Sequence, residues 1–127
     1  MSRSKHSTNT PWEKKYSYSR GVRVGNVVHI AGTLANLNDC PDPSSAYDQA
    51  ASALRIIEMA LKQLGASKTH VVRTRMYVIN IARDSDEIGR AHGDMFRGVD
   101  PVATMVEVRK LIGEDYLVEI EAEAIIE

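Results

Sequence analysis

The stretch from residue 45 to residue 64 constrains the fold of this chain most, because its apolar residues recur at the spacing of a single helical face. Ser44 and Ser45 offer an N-cap, and Gly65 supplies a C-terminal stop. The apolar positions are Ala46, Ala50, Ala53, Leu54, Ile57, Leu61 and Leu64. A helix with one apolar face has to bury it against another layer of the fold.

The segments around this helix have the pattern of β-strands. Between Tyr16 and Gly32, β-branched residues flank Gly25-Asn26, a pair typical of a two-residue hairpin. Residues 102–109 and 116–126 predict the last two strands. Residues 71–81 alternate, which places Arg73, Arg75 and Tyr77 on one side of a strand and Val72, Thr74, Met76 and Val78 on the other.

A second, shorter helix is predicted to begin at Ser85-Asp86-Glu87 and to end by Gly98. The order of elements is then β-β-α-β-α-β-β. That order is typical of an α+β fold, with two helices packed on one face of a mixed β-sheet.

The length of 127 residues, with 43% hydrophobic residues and a net charge of −1, fits one globular domain. We expect a polar, basic N-terminal arm over residues 1–15, followed by a single domain over residues 16–127. The arm lacks the apolar core of a signal peptide, and no run approaches the ~20 apolar residues that cross a bilayer. The lone Cys40 suits a reducing compartment. These features predict a cytoplasmic protein without a membrane partner.

Motifs for metals and nucleotide cofactors do not occur in the sequence. The four histidines are scattered, the one cysteine has no partner, and there is no Walker, G-x-G-x-x-G or G-x-S-x-G sequence. We therefore expect no cofactor and no metal. Six cations within the first 25 residues are a weak nucleic-acid footprint without interleaved aromatic residues, so a nucleic-acid partner is not expected.

Three carboxylates in the last strand are the main candidates for chemistry. Glu119, Glu121 and Glu123 stand at i, i+2 and i+4, so they project from the same face of the sheet. One interpretation is a solvated or salt-bridged outer face, with Arg73 and Arg75 as partners. The other is that one carboxylate, partly buried at a subunit boundary, acts as a general base for water. Both interpretations stay open from the pattern alone.

Several segments in register resemble one known family. They are Gly21 to Asn26 with His29 to Gly32, then Gly65-Ala66-Ser67, Val71 to Val78, Pro101 to Val108, and Val118 to Ala122. These motifs are similar to those of the YjgF/Rid family, whose older label is endoribonuclease L-PSP. The resemblance covers about residues 16–126.

The resemblance implies a chorismate-mutase-like fold and a homotrimer with ligand clefts between neighbouring subunits. It also implies a cytosolic, cofactor-free deaminase that hydrolyses reactive enamines and imines, such as 2-aminoacrylate, to 2-keto acids and ammonia. Glu119 matches the glutamate that positions the attacking water, and Tyr18 matches a tyrosine that lines the cleft.

Two positions depart from the family pattern. Ala103 stands, two residues before Met105, at the position of the signature arginine that binds the substrate carboxylate in the family. Ala31 replaces the usual cleft serine. An alanine supplies no bidentate contact to a carboxylate. Arg20 or His92 could anchor the substrate instead, although a salt bridge for Arg20 and a structural role for His92 are the alternatives.

Three functions remain open from the sequence. The first is a trimeric enamine or imine deaminase-like hydrolase with a non-standard substrate, an imine or a carboxylate, using Glu119 and Tyr18. The second is a trimeric binding module for a small metabolite without turnover, which the loss at Ala103 favours. The third is the endoribonuclease activity of the older family label, which the net charge of −1 makes the least favoured.

Overall fold

A computed structural model describes residues 2–127. The strands are β1 (Arg3–His6), β2 (Gly21–Val24), β3 (Val27–Leu34), β4 (Val71–Val78), β5 (Val102–Glu107) and β6 (Val118–Ile125). The helices are α1 (Pro11–Tyr16), α2 (Ala46–Gln63) and α3 (Ile81–Phe96). The strands form one sheet in the order β1-β2-β3-β6-β4-β5, in which only β4 and β5 pair in parallel. The predicted α+β class with a mixed sheet is confirmed.

Helices α2 and α3 pack on the same face of the sheet. Helix α2 confirms the strongest prediction from the sequence, since Ser45 caps its start by accepting a hydrogen bond from the Asp48 amide at 3.1 Å. Gly65 takes a positive φ of +81° directly after the helix, a conformation that favours glycine. The fully buried side chains between helices and sheet include Leu54, Ile57, Leu61, Ile88, Val28, Val78, Val118 and Ile120.

The hairpin and the alternating strand are confirmed with one exception. Gly25 has a φ of +61° in the turn between β2 and β3. On β4 the predicted inner residues Thr74, Met76 and Val78 are buried, but Val72 is exposed. The prediction for Val72 is wrong because the pairing of β4 with β6 shifts register between Val71 and Arg73, which turns Val71 inward instead.

The first 16 residues contain a strand and a helix that the sequence analysis missed. Strand β1 extends the sheet by pairing with β2, and Thr10 caps α1 with Pro11 at its first position. The sheet therefore has three helices around it, not two. The strand pattern expected from Tyr16 is also wrong, because Tyr16 ends α1 and β2 begins at Gly21. The division into an arm over 1–15 and a domain over 16–127 stays a prediction, although α1 runs across that boundary.

Helix α3 begins four residues before its predicted start. Asn80 caps it by accepting a hydrogen bond from the Arg83 amide at 3.0 Å, so Ser85 lies in the second turn. Asparagine is as good a cap as serine, and the end of β4 at Val78 leaves Asn80 free for this role.

A buried carboxylate on α1 holds the N-terminal segment to the fold. Glu13 is only 3% exposed and accepts hydrogen bonds from Ser7, Thr8 and Thr10. It also faces the guanidinium of Arg20, with Oε2 to Nη2 at 3.8 Å. Burial alone would raise the pKa of Glu13, but the hydrogen bonds overcome it and lower the pKa to about 2.

We expect Glu13→Gln to lower the free energy of unfolding by about 2–4 kcal/mol at pH 7, because it leaves Arg20 buried without its countercharge. The stabilising contribution of a carboxylate with a lowered folded-state pKa is complete above about pH 4.5 and is lost as the pH falls toward about 2. Urea unfolding of both proteins should therefore show a smaller difference at pH 3 than at pH 7. The exposed Glu114→Gln variant is the control. An equal loss in both variants would contradict this role of Glu13.

Candidate active site

Glu119 lies on β6, where its carboxylate passes over a glycine of β3. A Cβ atom at Gly32 would lie 2.1 Å from Glu119 Oε2, so this close approach requires glycine. Gly32 falls in an irregular stretch of β3, where the register with β6 shifts between Ile30 and Thr33. The bulge and the lack of a Cβ at Gly32 together make the space that the Glu119 carboxylate occupies.

The Glu119 carboxylate forms no ion pair with the residues described, 2–127. Burial raises its pKa, the charge of Arg20 lowers it, and the charge of Glu121 adds to the rise. Among residues 2–127, no hydrogen bond contributes to this shift and no fully buried side-chain oxygen lacks a partner. The half-buried Glu119 carboxylate therefore keeps its oxygens toward an open groove.

Arg20 lies beside this groove and is held from three sides. Its Nη1 donates to the Gly32 carbonyl at 2.6 Å and to Thr33 Oγ1 at 3.1 Å, and its Nη2 faces Glu13. The Tyr18 ring stacks on the guanidinium, with 5.9 Å between the ring centroid and Cζ. Arg20 is thus a fixed positive charge next to the Glu119 carboxylate.

A groove of about 580 Å³ brings together Tyr18, Arg20 and Glu119, three of the residues singled out from the sequence. Its other walls come from α1, from α2 and from the loop between β5 and β6. These walls are made largely by Trp12, Tyr16, Ile56, Ile112 and Tyr116. The groove is large enough for a small organic molecule.

The other two glutamates of β6 are engaged in ion pairs. Glu121 accepts from the Tyr77 hydroxyl and lies 3.5 Å from Arg75 Nη1, and Glu123 lies 3.2 Å from the same atom. Glu123 also faces Arg73 at 4.0 Å. The salt-bridged interpretation therefore describes Glu121 and Glu123, while Glu119 alone fits the general-base interpretation.

The remaining predicted site residues lie outside the lining of this groove. Ala31 lines a second groove of about 760 Å³, and Tyr18 belongs to the lining of both grooves. Ala103 and Met105 lie on β5, in register with Thr74 and Met76 of β4, and β4 separates them from Glu119. Within one chain these two residues do not reach the groove.

His92 is placed between α3 and the sheet. Its Nε2 lies 2.8 Å from Thr74 Oγ1, its ring packs against Phe96, and burial lowers its pKa. Thr74 belongs to the buried side of β4, whereas Glu119 projects from the opposite face. His92 is a hydrogen-bonded structural histidine in this arrangement.

Sequence reasoning missed several residues that shape the groove. Gly32 had no local signal, because its role depends on a residue 87 positions later that pairs through the sheet. Glu13 and Trp12 could have been found from Thr10-Pro11, which has the form of a helix start. Ile112 and Tyr116 lie in a loop whose path cannot be read from a pattern.

Residues 2–127 contain neither a metal-binding cluster nor a membrane-spanning helix. No group of three or more His, Cys, Asp or Glu side chains in this range has an arrangement that could hold a metal ion. Within the same range, none of the helices combines the length and apolar character needed to cross a membrane.

We expect carboxyl ¹³C NMR to find the Glu119 pKa above the 4.5 of an ordinary glutamate. In Gly32→Ala the new methyl group must push the carboxylate toward water, so the pKa should fall back toward 4.5. Gly89→Ala is the matched control, because a Cβ at this exposed helical position meets nothing within 4 Å. A Glu119 pKa that is ordinary in the parent protein would show that the groove does not perturb it.

Comparison with known proteins identifies the family. The model of the family described as endoribonuclease L-PSP matches residues 9–126. A Mycobacterium tuberculosis protein described as a member of the YjgF/YER057c/UK114 family is 42% identical, with a TM-score of 0.91 over 98% of this chain and 100% of the other. An uncharacterized Streptomyces coelicolor protein is 35% identical over 91% of this chain and 86% of its own length. The Escherichia coli YjgF gene product shares the fold, with a TM-score of 0.77 and 24% identity over 87% of this chain and 88% of the other. The chain therefore belongs to the endoribonuclease L-PSP family, to which YjgF gives its other name.

Proposed function

We propose that this protein hydrolyses a small reactive imine, or an enamine once it has tautomerised to the imine, by adding water to the carbon of the C=N bond. In the protonated imine the reaction is R₂C=NH₂⁺ + H₂O → R₂C=O + NH₄⁺. Water attacks the carbon, one of its protons moves to nitrogen by way of the general base, and the C–N bond breaks as ammonia leaves and takes up the remaining proton. No oxidant or reductant is needed.

One observation carries the proposal: the Glu119 carboxylate is half-buried, has no hydrogen-bond partner among the residues that the structure describes, and faces an open groove. A carboxylate with a raised pKa is a stronger base for water than an exposed carboxylate of ordinary pKa. It is still ionised at neutral pH when the rise in pKa is small. The same negative charge favours the cationic carbon–nitrogen group that forms during the reaction.

Arg20 and Tyr18 support this chemistry in different ways. The charge of Arg20 opposes the effect of burial on Glu119, which keeps the carboxylate available in its ionised form. The Tyr18 ring forms a wall of the groove and covers the guanidinium. Arg20 then acts as a fixed electrostatic element, with its Nη1 held by the Gly32 carbonyl and Thr33 Oγ1.

Ala103 and Met105 would take part only if a second copy of the chain placed its β5 against the groove. Their separation from Glu119 within one chain is compatible with the subunit clefts implied by the resemblance. A homotrimer is therefore part of the proposal.

The endoribonuclease description of the family has less support in this groove. Cleavage of RNA by general acid–base chemistry needs two groups that exchange protons with the reacting oxygens. The described lining contains one free carboxylate, Glu119, and no histidine or lysine. Imine hydrolysis needs only one such group, so it fits the groove better.

The first test is a hydrolysis assay on imines that are generated in the assay mixture by flavin-dependent amino-acid oxidases and amine oxidases. Semicarbazide in the assay traps free imine, so hydrolysis appears as a fall in the rate of semicarbazone formation. We expect Glu119→Gln to lose at least about 100-fold of the acceleration, because a catalytic base contributes about 10²–10⁴-fold. Glu123→Gln, on the same face of the same strand, should keep the full acceleration of hydrolysis, because the partly exposed ion pairs of Glu123 contribute little to stability.

The results of this assay separate the candidate functions. Acceleration that falls only in Glu119→Gln supports hydrolysis through that carboxylate. No acceleration on any imine, with an arginine-bearing relative active beside it, would reject the proposal in favour of a binding module. Equal losses in both variants would point to damage to the sheet.

The assembly makes a separate prediction. Size-exclusion chromatography with light scattering at micromolar protein should give a mass near that of three chains. If the groove is completed by a neighbouring subunit, the mass and the acceleration should fall together on dilution. A monomer that keeps full activity would contradict the subunit-cleft arrangement.

A further inference from the structure

Arg20 lies near two carboxylates and is paired with only one of them. Its Nη2 is 3.8 Å from Glu13 Oε2. Its Nη1 donates to the carbonyl of Gly32, the same glycine over which the Glu119 carboxylate passes. Arg20 and Glu119 also line one groove, and the charge of Arg20 acts on Glu119 although the two form no ion pair. The guanidinium is therefore close to both carboxylates, and Glu13 holds it.

Arg20 has donors that its present partners do not occupy. Its Nη1 donates to Gly32 and Thr33, whereas Nε and Nη2 donate to none of the residues that the structure describes. Every fully buried side-chain nitrogen or oxygen among residues 2–127 has a hydrogen-bond partner, so Nε and Nη2 keep some accessible surface. A guanidinium released from Glu13 could offer these two donors to another carboxylate as a bidentate pair.

Glu13 is fixed in the position and the charge state that this pairing needs. The hydroxyl groups of Ser7, Thr8 and Thr10 donate to its carboxylate at 2.9, 2.6 and 2.8 Å. Burial alone would raise the pKa of Glu13, but these donors overcome it and lower the pKa to about 2. Because burial raises the pKa of Glu119 instead, Glu13 stays ionised over the whole pH range in which Glu119 titrates.

We propose that Glu13 is a positioning residue for the hydrolysis, because it holds Arg20 and so keeps the guanidinium from pairing with the Glu119 carboxylate. This inference rests on the proposed function and adds a residue to its machinery. An ion pair with Arg20 would occupy the oxygens of Glu119 and make that carboxylate a weaker base for water. Glu13 is absent from the described lining of the groove, so it acts through Arg20.

Other groups also affect the charge of Glu119, and none of them changes when Glu13 is replaced. Besides Arg20 they are Glu121 on the same strand, Tyr77 opposite on β4, and Tyr16, Tyr18 and Tyr116 in the groove lining. A second copy of the chain that completes the groove would add charges of its own, equally in the parent protein and in a variant. The effect of Glu13 is therefore measured as a difference between proteins whose equal mass is checked by light scattering.

Carboxyl ¹³C NMR tests the inference without turnover. In Glu13→Gln the guanidinium loses its countercharge, so we expect the pKa of Glu119 to fall by at least about 0.5. Glu13→Asp is the matched control, since it shortens the side chain and keeps the charge, and it should hold the pKa of Glu119 within about 0.2 of the parent value. An unchanged pKa in Glu13→Gln would overturn the inference. Equal falls in both variants would also overturn it, because they would come from loosening of α1.

A second substitution shows whether the effect passes through Arg20. In an Arg20→Gln background, Glu13→Gln should lower the pKa of Glu119 by less than about half of the fall seen with Arg20 present. A larger fall would overturn the inference, because it would not need the guanidinium.

The double variant also covers the case in which Glu13→Gln alone does not fold, since it leaves neither charge buried without a partner. Relative to the parent protein, the double variant should raise the pKa of Glu119 by less than about 0.5, because Glu13 already takes most of the Arg20 charge. A larger rise would show that Arg20 acts on Glu119 at full strength beside Glu13, which would overturn the inference.

The pH profile of hydrolysis connects this coupling to catalysis. We expect Glu13→Gln to lower kcat about tenfold with a smaller change in KM, and to move the midpoint of the acid limb to lower pH together with the pKa of Glu119. A merely structural Glu13 would lower the unfolding temperature and leave that midpoint in place, which would overturn the inference while hydrolysis stands. No acceleration by the parent protein would instead reject the proposed function and the catalytic role of Glu13 with it, and the NMR titration would still decide whether Glu13 keeps Arg20 from Glu119.

Discussion

The ion pair between Arg20 and Glu13 is the interaction on which the rest of the site depends. It joins α1 to the segment before β2, and its guanidinium reaches the Gly32 carbonyl on β3. Through these contacts one buried arginine fixes the N-terminal helix and the β3 bulge relative to each other. Because the same charge lies beside Glu119, the geometry of the fold and the electrostatics of the groove come from one group.

The three glutamates of β6 show how register assigns different roles to residues with the same pattern. Pairing places Glu121 opposite Arg75 and Glu123 opposite Arg73, so each meets a cation. Glu119 stands opposite Tyr77 on one side and Leu34 on the other, and its carboxylate turns toward Gly32. A row that looks uniform in the sequence is therefore divided into two ion-paired carboxylates and a third, Glu119, with no ion pair among residues 2–127.

Local signals were enough to predict much of the fold. The α2 helix and the Gly25-Asn26 hairpin follow from spacing and turn chemistry within a few residues, and both are confirmed. Helix α1 was missed because it has only six residues, too few for a periodic apolar pattern to be detected. The contact of Glu119 with Gly32 depends on a bulge and on strands far apart in the chain, which no pattern in a single sequence specifies. The sequence predicts Tyr18, Arg20 and Glu119 as site residues, but it does not predict the groove that they line together.

The two carboxylates beside Arg20 have pKa values displaced in opposite directions. The pKa of Glu13 is lowered by several donors and a countercharge, so its charged form stabilises the fold at neutral pH. The pKa of Glu119 is raised by burial without a partner, so its charged form works against folding at the same pH. A perturbed titratable group that lines a groove is a candidate for a functional site, whereas structural ion pairs also displace pKa values. Gly32 makes room for the Glu119 carboxylate, and the hydrolysis proposed above would use its charged form.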